Sequence, residues 1–283
     1  MNRSPRVDAH HHVWDLAVRD QPWTAGLPAL RRSFGMADLR PHLDAHDIAA
    51  TVVVQTVTVT DETPELLALA AEEPLVAGVV GWVDLTAPAV AEEIARLRAL
   101  PGGDALVGVR HQVQAEPDPR WLCRPDVRRG LAAVAAAGLA YDLVITADQL
   151  PAAIETARAL PELAFVLDHG GKPHIRAGEQ EPWRSHLAEL GRCANTSVKL
   201  SGLVTEADPR AWTVADLRPY ADALLDSFGP ERVMYGSDWP VCLLAAPYSA
   251  VFAAAEELTA QLSPTERADV FGRSAARIYG LVR

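Results

Sequence analysis

Two histidines with one residue between them, His10 and His12 in Val7-Asp8-Ala9-His10-His11-His12-Val13-Trp14, close the first apolar stretch of the chain. Side chains alternate along a strand, so this pair projects to one side. Two imidazoles held close together on a rigid element can ligate a metal or stabilise an oxyanion. The turn-rich segment 15–28 that follows puts them at the strand's C-terminal end. Three histidines inside a strand pattern do not make an expression tag. The competing reading is a hydrogen-bonded histidine cluster with no chemistry.

Other groups with chemical potential follow the same rule of position. Arg110 and His111, Asp142, Asp168 and His169, Lys199 and Asp238 each close or follow an apolar run. Charged groups are seldom buried without partners, so ligand-type residues at the ends of several strands are hard to ascribe to core packing. The two lysines, Lys172 and Lys199, stand out among 26 Lys and Arg residues. Both follow apolar strands, where a compact ammonium could be required and a planar guanidinium would not fit. Trp14, Trp23, Trp82 and Trp239 lie near strand ends, where an indole face could wall a ligand. Trp14 and Trp239 directly follow candidate ligand segments and are the expected substrate wall; packing over the barrel is the alternative. Asp8 could orient the histidine pair. Alternation from His169 sends Asp168 away from the axis, toward a structural role. His42, His46 and His186 fall in helical patterns and read as surface residues, and His174 lies on a loop that could reach a ligand.

These residues need a scaffold that brings strand ends together. Strands are predicted at Arg6–His12, Ala50–Thr56, Val76–Val83, Leu106–His111, Ala140–Ile145, Ala164–Asp168, Thr196–Leu200 and Arg232–Gly236. Most are continuous apolar runs, such as Thr51-Val52-Val53-Val54, which suits strands covered on both faces. Amphipathic helical patterns separate them: Val90, Ile94 and Leu97 share a face, as do Val127, Leu131 and Val134, and Leu217, Leu224 and Phe228. A helix near Tyr248–Leu258 follows the last strand. Another begins at the capping box Ser263-Pro264-Thr265-Glu266. Eight βα units predict an α/β fold, a single TIM-type (β/α)8 barrel spanning 1–283 with a C-terminal helical extension and its site at the strands' C-terminal ends. A doubly wound sheet would be expected to carry a Gly-rich phosphate loop after an early strand, and none is present.

The motifs also carry a resemblance. Asp8 to Asp15, Gly108-Val109-Arg110-His111, Leu167-Asp168-His169-Gly170-Gly171-Lys172-Pro173, Val198-Lys199-Leu200-Ser201-Gly202 and Met234-Tyr235-Gly236-Ser237-Asp238-Trp239-Pro240 together resemble the amidohydrolase superfamily. The resemblance is to its amidohydrolase 2 type, in the branch of sugar-lactone hydrolases related to fuconolactonase and rhamnonolactonase. It implies a lactonase opening the cyclic ester of a sugar acid. His10, His12 and Asp238 would hold one divalent metal ion, zinc, with a metal-independent mechanism as the alternative. Asp238 would also activate water, and His169 would ligate or donate to the substrate carbonyl. Arg110, His111, Lys172 and Lys199 would bring positive charge to the oxyanion or the substrate. Arg110-His111 stands where binuclear relatives have a bridging lysine, and Tyr141-Asp142-Leu143 shows no obvious histidine, so one ion is expected rather than two. A decarboxylase of the same superfamily, with Arg110 holding a carboxylate, and a non-catalytic barrel binding a sugar acid are the alternatives.

Composition narrows the partners. The net charge of −11 argues against nucleic acid or an anionic membrane. No apolar run approaches a membrane span, no signal-peptide core is present, and the three cysteines are scattered singly. A reduced, cytoplasmic enzyme acting on a small molecule is expected, and self-association into a homo-oligomer would be usual for such a barrel.

Overall fold

Runs that are apolar on both faces form the inner ring of the molecule, a computed structural model that describes residues 4–281. The strands are β1 (Arg6–His11), β2 (Ile48–Val54), β3 (Val76–Gly81), β4 (Leu106–His111), β5 (Ala140–Leu143), β6 (Phe165–Leu167), β7 (Thr196–Leu200) and β8 (Val233–Tyr235). All neighbours pair in parallel, in the order β1 to β8. The ring closes through the segment after β8: Asp238 N donates to His10 O at 2.8 Å, and His12 N donates to Trp239 O at 2.7 Å. The expected (β/α)8 barrel is formed.

Strand alternation divides the apolar residues into two layers. Val52, Val54, Val80, Ala140, Val166 and Met234 fill the interior of the ring. Val53, Val79, Val109, Phe165 and Val198 face outward against the helices. Burying each such side chain contributes roughly 1.5–3 kcal/mol.

The principal helices after each strand are α1 (Met36–Ala45), α2 (Glu62–Glu72), α3 (Val90–Arg98), α4 (Pro125–Ala136), α5 (Leu150–Ala159) and α6 (Trp183–Gly191). They continue as α7 (Leu203–Glu206), α8 (Val214–Phe228) and α9 (Tyr248–Leu258). Helix α3 shows why they form. Val90, Ile94 and Leu97 are buried on one face, while Glu92 and Glu93 in the first turn and Arg96 and Arg98 in the last complement the helix dipole. The capping box at Ser263 is present, with Ser263 N donating to Glu266 at 2.8 Å. It opens α10 (Pro264–Ala268), from which a π-helical turn leads into α11 (Ser274–Ile278) and a buried Tyr279. Among the described residues no helix is long and apolar enough to cross a membrane.

β4 and β7 have the predicted bounds, but β6 and β8 are shorter than expected. The backbone leaves strand geometry at their ends: His169 and Asp238 adopt left-handed φ of 53° and 55°. That departure is where the site begins.

Candidate active site

β1 does not alternate uniformly. Val7 and Ala9 point into the barrel, yet so does His10, because the pairing register with β2 shifts between Asp8 and His11. A bulge of this kind re-aims side chains beside functional sites. Beyond it His10 and His12 face each other, Nε2 to Nε2, at 3.2 Å. The Asp8 carboxylate, on the other side of the strand, fastens the seam by accepting from Ser237 N at 2.9 Å and Tyr248 OH at 3.1 Å.

Asp238 completes the cluster from the far end of the chain. Its Oδ1 lies 3.4 Å from His12 Nε2, 3.7 Å from His10 Nε2 and 3.9 Å from His169 Nε2. Burial alone would raise its carboxyl, but the imidazoles of His169, His12 and His10 outweigh burial and hold it well below the usual carboxylate range. It is therefore ionised at neutral pH. Burial takes the His169 imidazole down to about 4 despite the facing carboxylates, so that ring is neutral. Its Nδ1 bonds Ser201 Oγ at 2.9 Å. Gly202 permits this approach, since a Cβ there would stand 2.6 Å from His169 Nδ1. Among the described residues other than glycine, four have positive φ; three of them, His169, Lys172 and Asp238, line this cavity. Strain of this sort persists where the surroundings over-determine it, commonly at functional sites.

The donor set fits a divalent ion. His12 Nδ1 meets Val54 O at 2.8 Å, and His10 Nδ1 lies between Lys199 Nζ at 3.1 Å and Asp168 Oδ1 at 3.3 Å. Both Nε2 atoms meet Asp238 Oδ1 around one point, and with the rings protonated at Nδ1 both lone pairs would be free for an ion, as outer partners commonly arrange for metal-bound histidines. A tetrahedral ion with bonds of about 2.0–2.1 Å requires donor–donor edges of about 3.4 Å. The observed 3.2, 3.4 and 3.7 Å bracket that value.

Directly beneath lies a network of buried charge. Lys199 Nζ contacts Asp142 at 2.5 Å and Asp168 at 2.9 Å. Arg110 donates to Asp168 at 2.9 Å and to Gln55 O at 2.5 Å, and its Nη1 is 3.4 Å from His10 Nε2. From the floor of the barrel, Tyr279 OH donates to Asp142 at 2.8 Å.

Above the cluster opens a cavity of about 570 Å³, lined by His12, Arg110, His169, Lys172 and Asp238 among others. Of the site residues expected from the sequence, His10, His12, Arg110, His169 and Asp238 come together at its base and Lys172 lines its wall. Four others do not. Lys199 is wholly buried inside β7, tied to two carboxylates and away from solvent. His111 stacks on Trp121, accepts from Trp82 and bonds Glu116, because its outward position on β4 points it at the helical layer. Trp14 packs edge-on against Phe34 and Trp23 with its indole N–H on Arg32 O. Trp239 is buried against Phe34, so neither indole walls the cavity. Trp23, 39% exposed, does. His174 is exposed beside Glu179.

Asp168 corrects another expectation. Val166 sets the inward parity of β6, so Asp168 points to the axis, and His169 follows only because its left-handed backbone turns it in. Sequence reasoning misses Glu206 and Gln55. Glu206 lines the cavity and the Gln55 carbonyl accepts from Arg110. Gln55 simply follows Val54 at the end of the β2 apolar run, and α7 has no sequence signal.

Comparison with known proteins agrees with this geometry. The family model described as amidohydrolase matches residues 7–281. Over 98% of this chain and 96% of the relative, the sequence is 41% identical to an L-fucono-1,5-lactonase from Burkholderia multivorans. A second L-fucono-1,5-lactonase, from Burkholderia ambifaria, is 39% identical over the same shares. A crystal structure of an amidohydrolase from Burkholderia multivorans with bound zinc superposes with a TM-score of 0.92, at 40% identity, covering 98% of this chain and all of that one.

Proposed function

We propose that this chain, which belongs to the amidohydrolase family, is a cytoplasmic lactonase that hydrolyses the cyclic ester of a sugar acid such as an L-fucono-lactone. One observation carries the reading: the Asp238 carboxylate stands within 3.7 Å of both His10 and His12 at the base of a cavity large enough for a sugar lactone.

His10, His12 and Asp238 would hold one divalent ion, zinc as in the Burkholderia multivorans structure. Bound there, it supplies Lewis acidity toward the ester carbonyl and toward water. Arg110 and Lys199 already neutralise Asp168, which favours one ion over two. Asp238 accepts the proton of the attacking water as general base. As the tetrahedral centre collapses and the ring C–O bond breaks, it returns that proton to the leaving alkoxide. Arg110, fixed in two directions by Asp168 and Gln55 O, places a guanidinium beside the developing oxyanion without reorganisation. His169, whose Nδ1 accepts from the Ser201 hydroxyl, donates from Nε2–H to the same oxygen or to a substrate hydroxyl. Lys172 and Trp23 contact the sugar from the cavity wall.

A pH-indicator assay over a panel of sugar lactones, before and after chelation and with zinc added back, tests this. Acid release that falls on chelation and returns with zinc is expected. Decarboxylation consumes a proton and a binding protein releases none, so a panel without acid release overturns the reading. Chelator-insensitive acid release would retain the lactonase and remove the ion.

A further inference from the structure

The cavity above the cluster is asymmetric, and its asymmetry falls on residues outside the reactive base. After β4, Gln112 and Gln114 bond one another. The arc formed by the loops after β1 and β2 presents Trp23, Val57 and Val59, with Thr58 between the valines and the Thr56 hydroxyl held by Glu62. Its two charges are already engaged, Arg19 on Glu65 at 2.6 Å and Asp20 on Arg31 at 2.7 Å. The arc after β6 and β7 presents Lys172 and Glu206. Their closest approach is 3.9 Å, beyond hydrogen-bond length, and among the described residues neither side chain has a shorter polar partner. Both are about three-quarters buried, at 25% and 26% side-chain exposure. Lys172 is moreover held in left-handed backbone geometry, at φ 50°, that a lysine adopts only under constraint. A carboxylate and an ammonium left loosely paired in a half-dry wall retain acceptor and donor capacity, and leaving such groups without partners is costly.

We infer that Glu206, with Lys172 beside it, is the specificity-determining acceptor for vicinal hydroxyls of the lactone ring. Glu206 accepts from the hydroxyls while Lys172 donates to one of their oxygens, and the opposite Trp23–Val57–Val59 arc takes the ring's C–H face. The inference rests on the lactonase reading and names its hydroxyl subsite. The cavity is thereby divided in two: the ester is handled at Asp238, and ring stereochemistry is read beside the ends of β6 and β7.

The test uses the purified full chain with L-fucono-1,5-lactone and its analogues singly deoxygenated at C2, C3 and C4. Glu206→Gln is expected to raise KM about tenfold while kcat changes less than about threefold, because a uniform binding contact is weakened. The KM ratio of variant to parent should collapse toward one on the analogue lacking the hydroxyl that Glu206 reads. An unchanged KM, or an equal penalty on every analogue, overturns the inference. If Glu206→Gln does not fold, Lys172→Gln is read on the same series with the same criteria. Should the parent protein hydrolyse no lactone, it is the lactonase reading that fails; a parent that turns over lactone with an indifferent Glu206→Gln refutes only the subsite.

Discussion

Two layers of polar groups share the barrel axis and differ in how they are satisfied. In the upper layer, His10 Nε2, His12 Nε2 and Asp238 Oδ1 converge at 3.2–3.7 Å with their remaining capacity aimed at one another and at the cavity. In the lower, Lys199, Asp142, Asp168 and Tyr279 contact one another at 2.5–2.9 Å and are buried, and Arg110 reaches from Asp168 up to the cavity. Carboxylates occur in both layers, facing imidazoles and the cavity in the upper and paired with fixed cations in the lower, where Asp168 Oδ1 has ion-pair contacts but no hydrogen bond. Such a contrast separates groups kept for a ligand from groups that hold their neighbours in place. His10 joins the layers, with Nε2 in the upper and Nδ1 beside Asp168 in the lower.

If the contrast is real, substitution above should cost turnover and substitution below should cost the fold. Asp238→Asn is expected to lower kcat by roughly 10²–10⁴-fold, the range for loss of a general base, with little change in Tm. Steady-state lactone hydrolysis and thermal unfolding measure both; near-parental turnover would refute the base assignment. Lys199→Met removes the cation from two buried carboxylates and should destabilise by about 3–5 kcal/mol in urea titration. A variant as stable as the parent would dissolve the distinction between the layers.

The finest probe concerns Glu62, which belongs to the paired class although it sits beside the cavity. Its carboxylate accepts from Thr56 N at 2.9 Å and Val57 N at 3.1 Å and bonds Thr56 Oγ1, holding the loop after β2. Burial raises this carboxyl above its ordinary value of 4.5, against the lowering by those hydrogen bonds. A raised folded-state pKa favours the fold in the protonated form. Its contribution is complete below about 4.5 and disappears as pH rises through the raised value. The urea midpoint of the parent relative to Glu62→Gln should therefore increase as pH falls from about 7 to about 5. A difference that is flat or decreasing would contradict the shift.

The barrel and the meeting of His10, His12 and Asp238 are legible because strand runs and motif spacing are local signals whose consequences are topological. Side-chain direction is less so. Counting alternation from His169 misdirects Asp168, because a φ of 53° at His169 breaks the strand rule. His10 likewise owes its direction to a bulge that no residue type announces. The position of Trp14 and Trp239 beside the cluster favours them as a substrate wall, but that position is the barrel's packed shoulder, and the exposed indole comes from the longer loop at Trp23. Lys199 reads as a cation facing substrate because its apolar strand gives no sign of the two carboxylates waiting on neighbouring strands. In each case the missing information is long-range.

The closure of the ring has a consequence for how the chain is made. β1 acquires its second neighbour only when residues 237–239 are available, and Asp142 gains its phenol only with Tyr279. A nascent chain leaving the ribosome therefore carries an open β1 edge, with a histidine pair and a buried-type acid, until β8 and the segment after it have emerged. Closure of the ring thus follows the synthesis of all eight strands, and until then the β1 edge is open to pairing with a neighbouring chain.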